Sequence, residues 1–373
     1  MEFQEKYEIN GFIQKGQFGS YYACINKETG SRLTVKIKSV SHYKNDGSSN
    51  AYVDLEESRE IAIWRRLKHR NVLELLDIIK TPTRHYLVME CITECNLLDE
   101  IEKSTTYTER DVCFYIRQIF SVLLYFREKR IIHRNINAEN IFLQRSNINE
   151  IIKIADFGLA VRLSKGQNYV SVEACGLPLF LAPETILDRP ISYGVDLWSV
   201  GVLFYIMLTG NPPFWNEFLK CLYFDITTKK MNTSYSNWNN ISDIAKEFLE
   251  ILLEKNSLKR INVEQALNHA WFESKKKSKL HRSDVIENLK CFNAKKKLDN
   301  EIFKFQRNPS LSASSSQNYY NQNEDYENER IYRQKTVISE VNYVKLDNLR
   351  QISNISVSFH PITLRIDLNE SDL

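Results

Sequence analysis

The stretch "VDLWSVGVLFYIMLTG", residues 195–210, constrains the fold more than any other. It is apolar on every side over a helical length, so as a helix it has no face to offer to water. Such a helix must be surrounded, and only a large domain has a centre deep enough to hold it. The composition can supply that centre. Of the 373 residues, 43% are apolar and 12% aromatic, which excludes a chain disordered throughout. The apolar run Val200–Leu208 is too short to cross a bilayer, and the opening "MEFQEKYEIN" lacks the apolar core of a secretion signal. Seven scattered cysteines without a C-x-x-C pair point to free thiols in a reducing compartment, against a disulfide framework or a zinc site. A soluble, intracellular protein is expected, cytoplasmic with the nucleus left open.

The periodicity changes along the chain. The first 90 residues alternate short β-prone runs with glycine turns, "ETG" being a hairpin signal, and "HYLVMEC" reads as a buried strand. One helix interrupts them, "EESREIAIWRRLKH", with Ile61, Trp64 and Leu67 on one face. Beyond it the pattern is helical. "TERDVCFYIRQIFSVLLYFREK" opens with Thr108 and Asp111 spaced as a capping box and continues with Val112, Ile116, Ile119 and Leu123. "SDIAKEFLEILLEKN" is amphipathic through Ile244, Phe248, Ile251 and Leu252. Residues 273–307 carry eleven Lys or Arg against five Asp or Glu, a surplus larger than the +3 of the whole chain. From Asn308 onward, "NPSLSASSSQNYYNQNEDYENER" is polar low-complexity sequence that predicts disorder, although "ISVSFHPITLRIDL" near the end alternates like a strand.

Several residues suit phosphate chemistry. In "KGQFGS", Gly16 and Gly19 flank Phe18 between two strands, where a backbone free of side chains can close over phosphates. Lys36 in "LTVKI" would point its ammonium inward from a strand, and Glu60 on the following helix can supply the matching carboxylate. In "KIADFGLA", Asp156 is placed to hold Mg2+, a hard cation that prefers oxygen, and the amide oxygen of Asn140 can join it.

Taken in order, these pieces resemble the eukaryotic protein kinase family from about Tyr7 to Phe272, with Ser/Thr specificity. The resemblance rests on "GQFG", Lys36, Glu60, His133-Arg134, Asn140, Asp156-Phe157-Gly158, Ala182-Pro183-Glu184, "DLWSVG" with Asp196, and Arg260. It implies a bilobal α+β fold: an antiparallel sheet with one helix over residues 1–91, then a mainly helical lobe over 92–272, with ATP and Mg2+ between them. It also implies nucleotide contacts from Tyr21, Thr34, Met89, Glu90 and Phe142, a structural ion pair of Glu184 with Arg260, and Asp196 bracing the catalytic loop. The basic segment 273–307 is similar to the autoinhibitory and calmodulin-binding region of calcium/calmodulin-dependent protein kinases. Leu289, Phe292, Leu298, Ile302 and Phe305 would be the apolar anchors of residues 285–307. Asp299 and Glu301 depart from that pattern, and a basic helix packed on the kinase region is the competing reading. Nucleic acid is the weakest partner for the lysine runs. The tail, 308–373, holds Ser310 and Thr336 three residues after an arginine, a spacing that suits phosphorylation in trans.

The catalytic loop departs from the family. "IIHRNINAEN" has Asn135 where the resemblance implies the catalytic aspartate and Asn137 where it implies a lysine. An amide can hydrogen-bond a substrate hydroxyl but cannot take its proton. Leu177 stands where a threonine would bond that aspartate. Gln14, Tyr21 and Thr34 replace a glycine, a valine and an alanine around the nucleotide. Three readings follow: a kinase-like protein with impaired phosphoryl transfer, a weakly active Ser/Thr kinase, and a calmodulin-regulated adaptor.

Overall fold

The structure is a computed structural model and describes residues 3–16, 19–39, 59–92, 95–145, 150–275, 277–278 and 280–294. All of these fall in one compact unit, residues 1–315. Phe18, Leu298, Ile302, Phe305, Ser310, Thr336 and the whole tail from residue 308 lie outside the described residues.

The first lobe is a five-stranded antiparallel sheet. Its strands are β1 (Tyr7–Gly16), β2 (Gly19–Asn26), β3 (Arg32–Ser39), β4 (Leu75–Lys80) and β5 (Arg84–Glu90), in the order β1-β2-β3-β5-β4. Two helical pieces join it: α1 (Phe3–Lys6), and α2, helical over residues 59–64. The sheet with its helix is as the sequence implied, and the single turn α1 adds to it. A single turn is too short to show a period, and α1 is held by packing: Phe3 stacks on Tyr86 with ring centroids 4.4 Å apart. Phe3, Tyr7, Cys24, Val35, Ile79, Tyr86 and Val88 form the core of the sheet.

The second lobe is mainly helical. It begins with α3 (Leu97–Glu102) and α4 (Glu109–Glu128), followed by short strands β6 (Ile131–Ile132), β7 (Ile141–Arg145), β8 (Glu150–Ile154) and β9 (Val161–Arg162). Then come α5 (Pro183–Ile186), α6 (Gly194–Thr209), α7 (Leu219–Thr228), α8 (Asp243–Leu252), α9 (Val263–Leu267), α10 (Ala270–Glu273) and α11, helical over residues 283–294. The helix apolar all round is α6, and every residue from Val195 to Thr209 is buried. The capping box at Thr108 and Asp111 starts α4. Val112, Ile116, Ile119 and Leu123 of α4 are all buried. In α8 the buried stripe is Ala245, Phe248, Leu249 and Leu252, with Ile244 and Ile251 only half-buried. The face is therefore rotated from the sequence reading, which favoured the larger side chains. The small Ala245 permits close approach that a large residue would prevent.

Helix α11 packs directly on this lobe. Val285 and Leu289 are fully buried, Asn288 Nδ2 donates to Thr209 O at 2.9 Å, and Asn293 Nδ2 donates to Glu102 Oε2 at 2.8 Å. Gly210 ends α6 at φ +75°, and a Cβ there would sit 2.5 Å from Asn288 Cβ and 2.6 Å from Val285 O. Only glycine permits that left-handed turn and that contact together. Among the described residues no helix is long and apolar enough to cross a membrane.

Candidate active site

Strand β3 presents Thr34, Lys36 and Lys38 at alternate positions, hence on one face. Tyr21 of β2 is the cross-strand partner of Lys36, and Met89 of β5 that of Thr34. The Lys36 ammonium donates to Glu60 Oε1 and to Asp156 Oδ1, each at 2.8 Å. Lys38 donates to the second Glu60 oxygen at 2.8 Å. Burial alone would depress the Lys36 ammonium, but the carboxylates of Asp156 and Glu60 outweigh it and hold its pKa well above the ordinary value. Burial likewise pushes Asp156 up, and Lys36 reverses the sign, so Asp156 is held below the ordinary carboxylate range. The Lys36 ammonium lies 5.6 Å from the Tyr21 ring centroid, and burial raises the Tyr21 phenol.

Gly16 and Gly19 face each other across the β1–β2 turn. At Gly19, φ is +139° and a Cβ would come within 2.7 Å of Ile37 O, so a side chain is excluded there. Thr34 is fully buried, and its hydroxyl accepts from the Ile92 N–H at 3.2 Å. Met89 is also fully buried. The Glu90 carboxylate accepts from Lys153 Nζ and from the Glu74 N–H, each at 2.8 Å, so it is engaged away from Lys36. Phe142 is buried on β7 opposite Lys153.

The stretch from Ile131 to Asn140 forms the next wall. The Asp196 carboxylate accepts from the backbone N–H groups of His133 and Arg134, both at 2.8 Å. Burial raises Asp196 to about 6 despite those donors and the Arg134 charge. His133 lies between the rings of Phe126 and Phe157, and burial lowers it to about 4, so it stays neutral near pH 7. The Arg134 guanidinium donates to the carbonyls of Leu159 and Glu173 and ties the following segment to the loop. Glu184 and Arg260 form a buried bidentate pair at 2.7 and 2.9 Å.

The three asparagines are bonded to one another. Asn135 Nδ2 donates to Asp156 Oδ2 at 3.3 Å, while Asn135 Oδ1 accepts from Asn137 Nδ2 at 2.9 Å. Asn137 Nδ2 and Asn140 Nδ2 both donate to the Asn135 carbonyl, at 2.9 and 3.0 Å. Asn137 Oδ1 accepts from the Glu139 N–H at 2.9 Å. The Asn140 carbonyl accepts from the Ala155 N–H at 2.9 Å, which sets residue 140 beside Asp156. One carboxylate and one amide oxygen suit Mg2+, which takes few protein ligands and completes its shell from water and phosphate. Among the described residues there is no cluster of three His, Cys, Asp or Glu that would compete for a metal. A cavity of about 100 Å³ opens beside the loop, lined among others by Asn137, Glu139, Leu177, Phe180, Phe292 and Asn293. Helix α11 thus reaches the wall that holds Asn137 and Leu177.

The structure therefore gathers Tyr21, Lys36, Glu60, Asn135, Asn137, Asn140 and Asp156 into one bonded or contacting cluster, with Thr34 on the same β3 face. Lys38 is the member that sequence reasoning missed. Its position two residues after Lys36 on the same strand was the available signal.

The family model for the protein kinase domain matches residues 7–272. The chain belongs to the protein kinase family. Members of this family use ATP and Mg2+. The kinase chain is 33% identical over 299 residues to a calcium/calmodulin-dependent protein kinase type II of Caenorhabditis elegans, covering 80% of this chain and 40% of that protein. It is 32% identical over 299 residues to the enzyme of the same name from Caenorhabditis briggsae, covering 80% and 55%. It is 32% identical over 302 residues to the type II alpha chain of Drosophila melanogaster, covering 80% and 56%. The kinase chain thus spans roughly half the length of these relatives.

Proposed function

We propose that this chain is a signalling protein of the kinase fold that binds Mg-ATP, transfers phosphate poorly, and acts by regulated binding to other proteins. The bonding of Asn135 carries this reading. Both ends of its amide are engaged, one donating to Asp156 and the other accepting from Asn137. An amide offers no site for a substrate proton. A general base contributes about 10²–10⁴-fold in rate. The cation absent at Asn137 would add about 10²–10³ at a developing charge. Nucleotide binding is supported by Lys36, Glu60 and Asp156, which keep the geometry that holds phosphates. In this reading Asn140 and Asp156 hold the metal, which neutralises phosphate charge when bound, and Lys36 orients the phosphates. Tyr21, Thr34, Met89, Glu90 and Phe142 would enclose the base.

Regulation is assigned to residues 273–307. Leu289, one of the proposed calmodulin anchors, is buried on the kinase region, so calmodulin and that region would compete for it. Tail residues Ser310 and Thr336 are proposed as targets of a basophilic kinase. The cysteine usage favours a reducing, cytoplasmic location.

The test compares the natural chain with Asn135→Asp/Asn137→Lys. Transfer of labelled γ-phosphate should appear only in the double variant, and thermal stabilisation by Mg-ATP should be similar in both. Peptide labelling by the natural chain at an ordinary turnover rate would overturn the proposal. The intact Lys36–Glu60–Asp156 cluster favours, as second reading, a slow Ser/Thr kinase. In that case the natural chain labels weakly and Asp156→Ala abolishes the signal.

A further inference from the structure

Lys255, just beyond α8, occupies an environment unlike that of an exposed surface lysine. The rings of Trp198 and Phe214 stack with centroids 5.9 Å apart and planes within 7°. The Lys255 ammonium lies 4.6 Å from the Phe214 centroid and 5.7 Å from that of Trp198, and donates to the Ile226 carbonyl. The Arg260 guanidinium lies 5.1 Å from the same Trp198 ring. A cavity of about 390 Å³ opens on Lys255, with apolar walls from Phe214, Met231 and Leu253 and polar ones from Lys230, Glu250 and Glu254.

Two conditions make a lysine amine nucleophilic: loss of water against an apolar surface, and a neighbouring cation. Both hold here. Burial, the larger influence, and the Arg260 charge pull the amine down to about 8, against Asp225 and Glu254, which oppose it. About one amine in ten is then neutral at pH 7, against about one in a few thousand for an ordinary lysine.

We propose that Lys255 is an acylation site, its amine accepting a short acyl group from an acyl thioester while the cavity holds the acyl chain against Phe214, Met231 and Leu253. The Lys255 nitrogen bonds to the thioester carbonyl carbon, the carbon–sulfur bond breaks, and the thiol leaves with a proton from the amine. The product is a neutral amide, so the site loses a positive charge beside Arg260 and Asp225. Glu250 and Glu254 line the same cavity and can relay to water the separate proton that the ammonium loses before its neutral nitrogen attacks.

The full chain is incubated with acetyl-CoA or butyryl-CoA across roughly pH 6 to 9, and acylation is quantified by site-resolved mass spectrometry. Exposed Lys165 and Lys259 serve as internal references. Lys255 should react about tenfold faster than either at pH 7, with an inflection near 8. Met231→Trp, which fills the cavity, should reduce the Lys255 rate at least about fivefold and leave Lys165 unchanged. A Lys255 rate no greater than that of Lys259 overturns the proposal. A fast rate that Met231→Trp leaves untouched overturns the role of the cavity.

Discussion

Two buried polar regions meet at Asp156, and they are built on opposite principles. On the side of the sheet, Lys36, Lys38, Glu60 and Asp156 form a cluster of full charges, each satisfied by an opposite one. On the side of the catalytic loop, Asn135, Asn137 and Asn140 satisfy one another as neutral amides. The charged cluster is destabilised when Lys36 is lost, because a buried ion without its partner is costly. The amide network needs no such balance. In the proposed reading, phosphate binding and proton transfer become separable, and only the first keeps its charged groups.

Removing Lys36 should break the comparison most severely. Lys36→Met removes the ammonium shared by two buried carboxylates, leaving Glu60 to Lys38 and Asp156 without its ion pair, and should lower stability by about 3–5 kcal/mol in denaturant titration. A loss under about 1 kcal/mol would mean that the cluster is wetter than its geometry suggests. Restoring charge to the loop should come second. Asn135→Asp places a carboxylate where an amide donor now meets Asp156 Oδ2, and should cost about 2–3 kcal/mol. Adding Asn137→Lys should recover part of that loss. Equal stability of the single and double variants would show that the two positions are uncoupled.

The third effect is a matter of pH and is spread over about two units of it. His133 titrates at about 4 in the fold against an ordinary 6.5, so between those values the unfolded chain holds a proton that the fold has shed, and stability rises with pH. Asp196 titrates at about 6 against an ordinary 3.8, so in that window the fold holds the extra proton and stability falls as pH rises. The two slopes oppose one another between about 4 and 6, each at most about 1.4 kcal/mol per pH unit. In His133→Phe the rising contribution is gone, and stability should fall relative to the natural chain as pH increases from 4 to 6. Parallel pH curves for the two proteins would contradict this assignment.

Much of the fold was legible because it follows from local periodicity. The buried face of α4, its capping box and the enclosure of α6 can all be read from residue spacing alone. The face of α8 was not, because Ala245 and Leu249 are chosen by how closely neighbouring helices approach. Helix α1 was missed since one turn has no period, and Phe3 is held by Tyr86 from a strand some eighty residues away. In the site, Lys36, Glu60 and Asp156 could be matched one by one, whereas strand spacing puts Lys38 on the same face as Lys36 without showing that it pairs with the second Glu60 oxygen.

By itself the sequence determined that positions 135 and 137 carry neutral amides, whose oxygens are not basic whatever surrounds them. It also determined that α6 must be enclosed. Only the tertiary structure decided that the asparagines bond to each other and to Asp156, that α11 rests beside them, and that Lys255 lies against two aromatic rings. Those facts depend on contacts between residues far apart in the chain, and neither hydrogen-bond partners nor the loss of water around an ion can be read from spacing along it.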